Sequence, residues 1–216
     1  ELSYPWKLQP QLSEELDAIC KKNQIACLGT GINPGFLMDY LPSVFSSVCK
    51  DIKHVSVERI QDATPRRIPF QKKIGAGLSL KAFKEKEATG TLRHVGLQES
   101  VYLLANSLGL ELDSVSESLN PVIANKTVAS SAIIVKIGDA RGVEQISHGY
   151  VKGECRISMH FKAAIGELRS YDKITIKGTP NFTSLIEGGL NGDICTCAVT
   201  VNTCLLYTSP SPRDSD

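Results

Sequence analysis

The stretch LGTGINPGF at residues 28–36 is the feature that most limits how this chain can fold. Residues 25–28 form a short apolar run that leads into three closely spaced glycines, and an apolar-periodic segment follows. This pattern predicts a buried strand that turns sharply into a helix, with Asn33 as the N-cap and Pro34 in the first helical position. Because α/β proteins bind ligands at such corners, the N–H groups of this turn are candidates to bind an anion or a cofactor amide.

The glycine spacing differs from the dinucleotide fingerprint G-x-G-x-x-G, since the third glycine comes one residue late and no acidic residue stands at the expected place after it. We therefore do not interpret residues 28–36 as a pyrophosphate-binding loop. A tight βα turn that uses glycine for positive φ is the alternative that the spacing leaves open.

The bulk composition is that of an ordinary globular protein. The chain has 216 residues, 42% of them hydrophobic and 22% charged, with a net charge of +1. This is enough apolar material for a core, and it gives no support to nucleic acid or membrane partners. No apolar run approaches the roughly 18 residues that a membrane span needs, and no secretory signal is recognisable.

Seven cysteines occur in apolar segments without any C-x-x-C pair, which favours reduced, buried thiols in the cytoplasm over a disulfide framework. Cys195 and Cys197 are only two residues apart, and residues at that spacing do not share a helix face. No metal site is therefore predicted.

The two ends of the chain suggest an incomplete protein. The chain begins at Glu1 without an initiator methionine, and its last residues resemble the translation of a sequencing adapter, so we expect the native sequence to end near Thr203. The predicted organisation is the end of a nucleotide-binding domain (1–35), a substrate and oligomerisation domain (36–190), a closing helix (191–203) and a non-native tail (204–216).

Hydrophobic periodicity predicts a mixed α/β fold. Helices are expected over 11–23, 36–49 with a kink at Pro42, 79–87 with Ser79 as its cap, 98–108 and 191–203. Strands are expected from residue 52 to 60, over 113–124, 143–151 and 154–165, and twice within 174–186. The predicted fold class is the C-terminal remnant of a Rossmann-like doubly wound domain, followed by an α+β domain with a mainly antiparallel sheet.

The strand predicted at 154–165 alternates strictly. Cys155, Ile157 and the next odd-numbered residues are apolar and should face the core, whereas the even-numbered residues, His160 among them, should face water or a ligand. A lone histidine on such a face, His148 or His160, is more often a packed or surface residue than a catalyst. We expect the ligand site in the crevice between the two domains.

A basic segment follows the first long strand, with four cations between residues 66 and 73. A solvated basic loop is one interpretation. The other is a clamp for a small carboxylate, because guanidinium groups bind carboxylates through paired hydrogen bonds. Arg66 and Arg67 are the candidates for that clamp.

Several motifs, taken in order, resemble the 2,4-diaminopentanoate dehydrogenase family, whose members are relatives of dihydrodipicolinate reductase. The resemblance extends over nearly all of residues 1–203. The matching motifs are GTGINPGF at 29–36, VER at 57–59, DA at 62–63, RR at 66–67 followed by Pro69, Gln71, Lys73, Gly75 and Gly77, GTLRHVGL at 90–97, ES at 99–100, IEGG at 186–189 and GD at 192–193.

The resemblance implies oxidative deamination of a small diamino acid with NAD or NADP, in which 2,4-diaminopentanoate yields 2-amino-4-oxopentanoate and ammonia. It also implies a Rossmann domain whose fingerprint loop does not occur in these 216 residues. We therefore expect this chain to bind the cofactor poorly and to be inactive alone. A homo-oligomer that uses the antiparallel sheet as its interface is expected as well.

The reaction needs an anion site, an acid that holds the second ammonium and a base. Candidates from the matching motifs are, for the substrate, Arg66, Arg67, Gln71, Asp62 and Glu99; for the base, Lys73 or His94; and for the nicotinamide end of the cofactor, Gly29, Thr30, Gly31, Asn33 and Gly35. The sequence does not choose between the two bases. Glu99 has a structural alternative, a pairing with Arg93 or His94.

Two other functions stay open at this stage. One is an imine reductase like dihydrodipicolinate reductase, or another amino acid dehydrogenase, against which the double-arginine segment with Lys73 is the discriminating feature. The other is a non-catalytic dimerisation module formed by the strand-rich half.

Overall fold

The structure is a computed structural model that describes residues 2–90, 92 and 96–208. Six helices lie within these ranges: α1 (Pro10–Asn23), α2 (Tyr40–Ser46), α3 (Ile68–Lys73), α4 (Leu80–Ala88), α5 (Leu97–Ser107) and α6 (Gly192–Thr208). The strands are β1 (Lys50–Asp62), β2 (Ser114–Ile123), β3 (Val128–Ala129), β4 (Ile134–Val135), β5 (Ala140–Val151), β6 (Glu154–Ala164), β7 (Tyr171–Thr179) and β8 (Phe182–Glu187).

Six strands form one sheet in the order β2-β5-β6-β1-β7-β8, and β3 pairs with β4 separately. β1 is parallel to β6, with Val55 opposite Ile157, while the other neighbouring pairs in the large sheet are antiparallel. The predicted fold class, a mixed α/β chain with a mainly antiparallel sheet, is confirmed. Because β1 and β6 run in the same direction, their carboxyl ends lie at the same edge of the sheet.

The core lies between one face of this sheet and the helices α2 and α5, which contact β1 and strands β2, β5 and β6 respectively. Alternate residues of the central strands point into it, and Val55, Ile157 and Met159 are completely buried. The opposite face carries polar side chains such as His54 and Glu58, which stay partly exposed. The period-two pattern of the sequence is therefore the pattern of a sheet that is covered on one side.

Local signals in the sequence place several elements correctly. The Ser79 hydroxyl accepts a hydrogen bond from the Ala82 N–H at 3.3 Å and caps α4, as predicted. Lys152 and Gly153 both have positive φ and join β5 to β6 as the predicted hairpin turn. No helix in the described part of the chain is long and apolar enough to cross a membrane.

The strand predicted at residues 25–28 is not formed. The segment is extended and exposed, with Ile25 at 59% and Leu28 at 53% exposure. A strand requires a neighbour for its backbone hydrogen bonds, and none of the described strands pairs with this segment. The prediction that Asn33 and Pro34 begin a helix is also wrong, because Gly35 has a φ of +117° and the helix begins at Tyr40.

Four further expectations need correction. Cys155 is not on the core face, because the β5–β6 register shifts beside Gly149, and its Sγ instead lies 3.4 Å from the Ser158 hydroxyl. The seven cysteines are free, but none is buried: three are exposed and four are intermediate. The predicted basic loop contains the short helix α3, and α6 continues past the predicted end at residue 203 to Thr208.

Candidate functional site

A cavity of about 390 Å³ lies at the sheet edge where β1 ends, between α3, α6 and the turn at residues 29–35. Its wall contains five charged side chains. They are the cations Arg59, Arg66, Arg67 and Lys73 and the carboxylate Asp193. Asn33 and Ile32, from the turn, line the same cavity. The glycine-rich turn and the basic segment, 30 residues apart and more in sequence, therefore share one hollow.

The Arg66 guanidinium is held from several sides. Its Nε and Nη2 donate to the two carboxylate oxygens of Asp193 at 2.8 and 3.2 Å, and its Nη1 donates to the Gln61 Oε1 at 2.9 Å. The Phe70 ring lies beneath it, with 4.1 Å between the guanidinium carbon and the ring centroid. A Cβ at Gly192 would lie 2.9 Å from Nη2, so this position needs glycine for space.

Asp193 begins α6 and connects it to the start of α3. Besides Arg66, it forms an ion pair with the Arg67 Nε at 2.9 Å, and a backbone hydrogen bond from Arg67 also lowers its pKa. The hydrogen bond from Arg66 is the main reason that the pKa of Asp193 lies below its usual value. The carboxylate is therefore ionised and paired with two arginines.

A second arginine, Arg59, is almost fully buried beside the cavity. Its Nη1 donates to both carboxylate oxygens of Asp172 at 2.9 and 3.0 Å, and its Nη2 donates to the Leu190 carbonyl at 2.8 Å. The Gln61 side chain donates to the same carbonyl, and the Leu190 N–H donates to Asp172. The buried pair thus fixes the loop that precedes α6, and with it the position of Asp193.

The turn at 29–35 is anchored by a buried carboxyl group. Asp39 accepts hydrogen bonds from the Gly35 N–H at 2.8 Å, the Tyr40 N–H at 2.7 Å and the Ser100 hydroxyl at 2.6 Å. Burial raises the pKa of Asp39, and these hydrogen bonds offset only part of that effect. The turn also contacts α6, since the Ile32 N–H lies 3.5 Å from the Thr196 hydroxyl.

A second, larger cavity of about 720 Å³ lies on the other side of the turn. Thr30, Gly35, Phe36 and Tyr40 line it together with apolar residues of α6 such as Val199. Among the described residues that line this cavity, none carries a charged side chain. A neutral, flat group fits this wall better than a phosphate does.

The structure brings some of the predicted site residues together and leaves others apart. Asn33, Arg66, Arg67 and Lys73 line the charged cavity, and Gly29, Thr30 and Gly35 line the apolar one, whereas Gly31 is buried within the turn between them. Asp62, Gln71 and Glu99 line neither cavity. His94 lies outside the described residues.

The three residues outside the cavities have structural contacts. Asp62 Oδ1 accepts hydrogen bonds from the Thr64 N–H and from its hydroxyl. Gln71 is buried and donates to three backbone carbonyls, including that of Arg66 at 2.8 Å. Glu99, also buried, accepts from the Tyr4 N–H at 2.9 Å. Each of them braces a loop or terminus near the site.

Sequence reasoning gave no role to Arg59, Gln61 or Asp193. A signal for the first two was present, because they continue the alternation of Val55 and Val57 onto the covered face, where a charged residue needs a partner. No comparable signal exists for Asp193, whose partners are about 125 residues away in sequence. Only the fold brings this carboxylate to the arginines.

Comparison with known proteins gives a consistent result. Residues 36–209 match the family model described as the 2,4-diaminopentanoate dehydrogenase C-terminal domain. The 2,4-diaminopentanoate dehydrogenase of Acetoanaerobium sticklandii is 30% identical over 208 residues, which are 94% of this chain and 59% of that protein. The solved amine dehydrogenase from Mycobacterium smegmatis shares the fold with a TM-score of 0.81 at 22% identity, over 94% of this chain and 60% of that one. The chain thus spans about three fifths of the length of these relatives.

Proposed function

Because the chain belongs to the family of 2,4-diaminopentanoate dehydrogenase C-terminal domains, we propose that its charged cavity binds the substrate of an NAD(P)-dependent oxidative deamination. The substrate is a small diamino acid, 2,4-diaminopentanoate. Substrate, oxidised cofactor and water give 2-amino-4-oxopentanoate, ammonia, reduced cofactor and a proton. The hydride leaves from C4, and water then hydrolyses the resulting imine.

The cluster of cations in the charged cavity is the observation that carries this proposal. Asp193 is shared by Arg66 and Arg67, so those three residues keep one net positive charge, and Lys73 adds another. Of the five N–H groups of the Arg66 guanidinium, three are used by Asp193 and Gln61. The remaining two, one on each terminal nitrogen, have no partner among the described residues and are available to a carboxylate.

The apolar cavity is the proposed place of the nicotinamide. A nicotinamide group, when bound, accepts the hydride. Thr30 and Gly35 form part of one wall and Phe36 contributes an aromatic ring, which suits a flat ring. The lack of a charged side chain among the described residues of this wall argues for the ring end of the cofactor instead of its pyrophosphate.

A binding experiment tests the carboxylate site, and binding is measured because the chain spans about three fifths of its relatives. Isothermal titration calorimetry compares 2,4-diaminopentanoate with 2,4-diaminopentane, which has the same two amines and no carboxylate. We expect the diamino acid to bind at least about 10-fold more tightly, since a charge-assisted hydrogen bond to a carboxylate contributes about 1.5–3 kcal/mol.

Arg67→Met and Arg66→Met should each remove most of that preference. Lys72→Met is the matched control, because Lys72 is exposed on the adjoining helix α3 and does not line the cavity. Arg67 is 72% exposed, so its replacement leaves the fold intact even where that of Arg66 does not. Equal affinity for the diamine and the diamino acid, or unchanged binding in both arginine variants, contradicts the proposal.

A further inference from the structure

Hydride loss from an amine carbon requires the amine as its free base, because the nitrogen lone pair becomes part of the imine double bond. An alkyl amine with an ordinary pKa of about 10 is protonated near neutral pH. We infer, on the basis of the function proposed above, that the cations of the charged cavity disfavour the ammonium form of the bound substrate. The amine at C4 therefore loses its proton to solvent when the substrate binds.

The charged and titratable groups around the cavity come from β1, from β7 behind it, from α3 with the residues before it, and from α6. They are Arg59 of β1 with Asp172 of β7 behind it, Arg66 and Arg67 before α3, Lys73 of α3, and Asp193 and Cys197 of α6. Two arginine–aspartate contacts cancel two positive charges, Arg59 with Asp172 and Arg66 with Asp193. Among the described residues two positive charges remain, those of Arg67 and Lys73, and both line the cavity.

A positive charge within about 4–6 Å disfavours the ammonium form of an amine and lowers its pKa by roughly 1 or more. A substrate with one carboxylate and two ammonium groups carries a net positive charge, so it enters a cavity of the same sign. The carboxylate is attracted to Arg66, Arg67 and Lys73. Loss of the proton from the amine removes its repulsion by these cations.

Among the described residues of the wall, none offers an imidazole or an unpaired carboxylate to take that proton. Asp193 is the one carboxylate that the described residues place in the cavity, and it is already paired with two arginines. Arg67 and Lys73 are both exposed, so bulk water reaches the cavity. The proton is therefore transferred to water or buffer, and the positive charge of the cavity favours this transfer in place of a dedicated base.

Proton release on binding is the measurement that tests this inference. Calorimetric titrations of the chain with 2,4-diaminopentanoate at pH 8, in two buffers of different ionisation enthalpy, give the number of protons released per ligand. Pentanoate, which has the carboxylate and no amine, is the control ligand. We expect release with the diamino acid and with 4-aminopentanoate, and none with pentanoate.

Two lysine variants separate the cavity charge from the total charge. Lys73→Gln removes one of the two remaining positive charges, so proton release should fall to about half. Lys72→Gln, a neighbouring change with the same effect on net charge but outside the cavity, should leave it unchanged. Asp193→Asn adds positive charge and should increase release.

The outcomes of these titrations are distinct. If neither the diamino acid nor pentanoate binds, the proposed function is wrong. If both bind without proton release, or if pentanoate releases as many protons, the carboxylate site stands and the present inference is overturned. An equal fall in proton release in both lysine variants also overturns the inference, because proton release then depends only on the overall charge of the protein.

Discussion

Two ion pairs join strands β1 and β7 one residue apart, and they lie on opposite faces of the sheet. Arg59 faces Asp172 with 2.9 Å between Nη1 and Oδ1, and Glu58 faces Lys173 with 2.7 Å between Oε1 and Nζ. The first pair has side chains only 2% and 1% exposed, whereas those of the second are 25% and 36% exposed. Both pairs join opposite charges across the same two strands at similar distances, and they differ in burial and in residue types.

Burial changes what each pair does. Around Arg59 every charged hydrogen bond must be made inside the protein, and the Leu190 backbone supplies both an acceptor and a donor. Burial also raises the pKa of Asp172, an effect that the Arg59 charge opposes. The pair therefore fixes the loop before α6, while Glu58 and Lys173 share their hydration with solvent. Position in the fold, more than the contact itself, gives an ion pair its function.

The largest expected effect is that of Arg59→Met. It leaves the Asp172 carboxylate buried without its cation, so the free energy of unfolding should fall by about 3–5 kcal/mol. Urea denaturation followed by circular dichroism measures it. The double variant Arg59→Met with Asp172→Leu is the control, and it should recover much of the loss because no uncompensated charge remains. A loss below about 1 kcal/mol in the single variant contradicts the claim that burial distinguishes the ion pairs on the two faces of the sheet.

An intermediate effect is expected for Asp193→Asn, which weakens the contacts to Arg66 and Arg67 in a partly exposed position. We expect a loss of about 1.5 kcal/mol near neutral pH. Since the pKa of Asp193 is lowered in the folded state, its contribution is complete above the ordinary value of 3.8 and is lost as the pH falls through the folded-state pKa. Urea unfolding at several pH values should therefore show wild type and variant converging in acid.

The smallest effect is expected for Lys173→Met on the open face. After allowance for solvent screening, the free energy of unfolding should fall by less than about 1 kcal/mol. The loss should be smaller still in roughly 0.5 M salt, because salt screens exposed ion pairs. Partial burial acts to raise the pKa of Glu58, but hydrogen bonds from Lys173 and Tyr171 lower it overall, so its stabilising contribution is lost below its ordinary value of 4.5. A loss as large as that of Arg59→Met contradicts the role given to burial.

Sequence patterns predicted the elements whose causes are local. The cap at Ser79, the hairpin at Lys152 and Gly153 and the alternation of β6 beyond Cys155 each depend on a few neighbouring residues. The strand at 25–28 failed for the opposite reason, since pairing depends on a partner far away in the chain. The predicted oligomer, the cytoplasmic location and the roles of the site residues stay predictions.

The site shows the same division between local and distant causes. The cations at 66–73 were recognisable as a group because they are adjacent in sequence. Their carboxylate partner Asp193 was not, because spacing along the chain carries no information about a contact between α3 and α6. Gln71, assigned to substrate, instead binds the backbone of its own loop, an arrangement that composition alone does not distinguish from a ligand contact.

The parallel pairing of β1 with β6 has a consequence for how the chain acquires its fold. β1 is central in the sheet, yet Val55 is separated from its partner Ile157 in β6 by about a hundred residues of sequence. The other neighbour of β1, strand β7, comes later still in the chain. On a ribosome, the 13 residues of β1 emerge long before either flank exists and present two open hydrogen-bonding edges. Such distant closure slows folding and prolongs the exposure of a strand that can pair with the wrong chain. The element that organises the finished molecule is thus its most vulnerable one during synthesis.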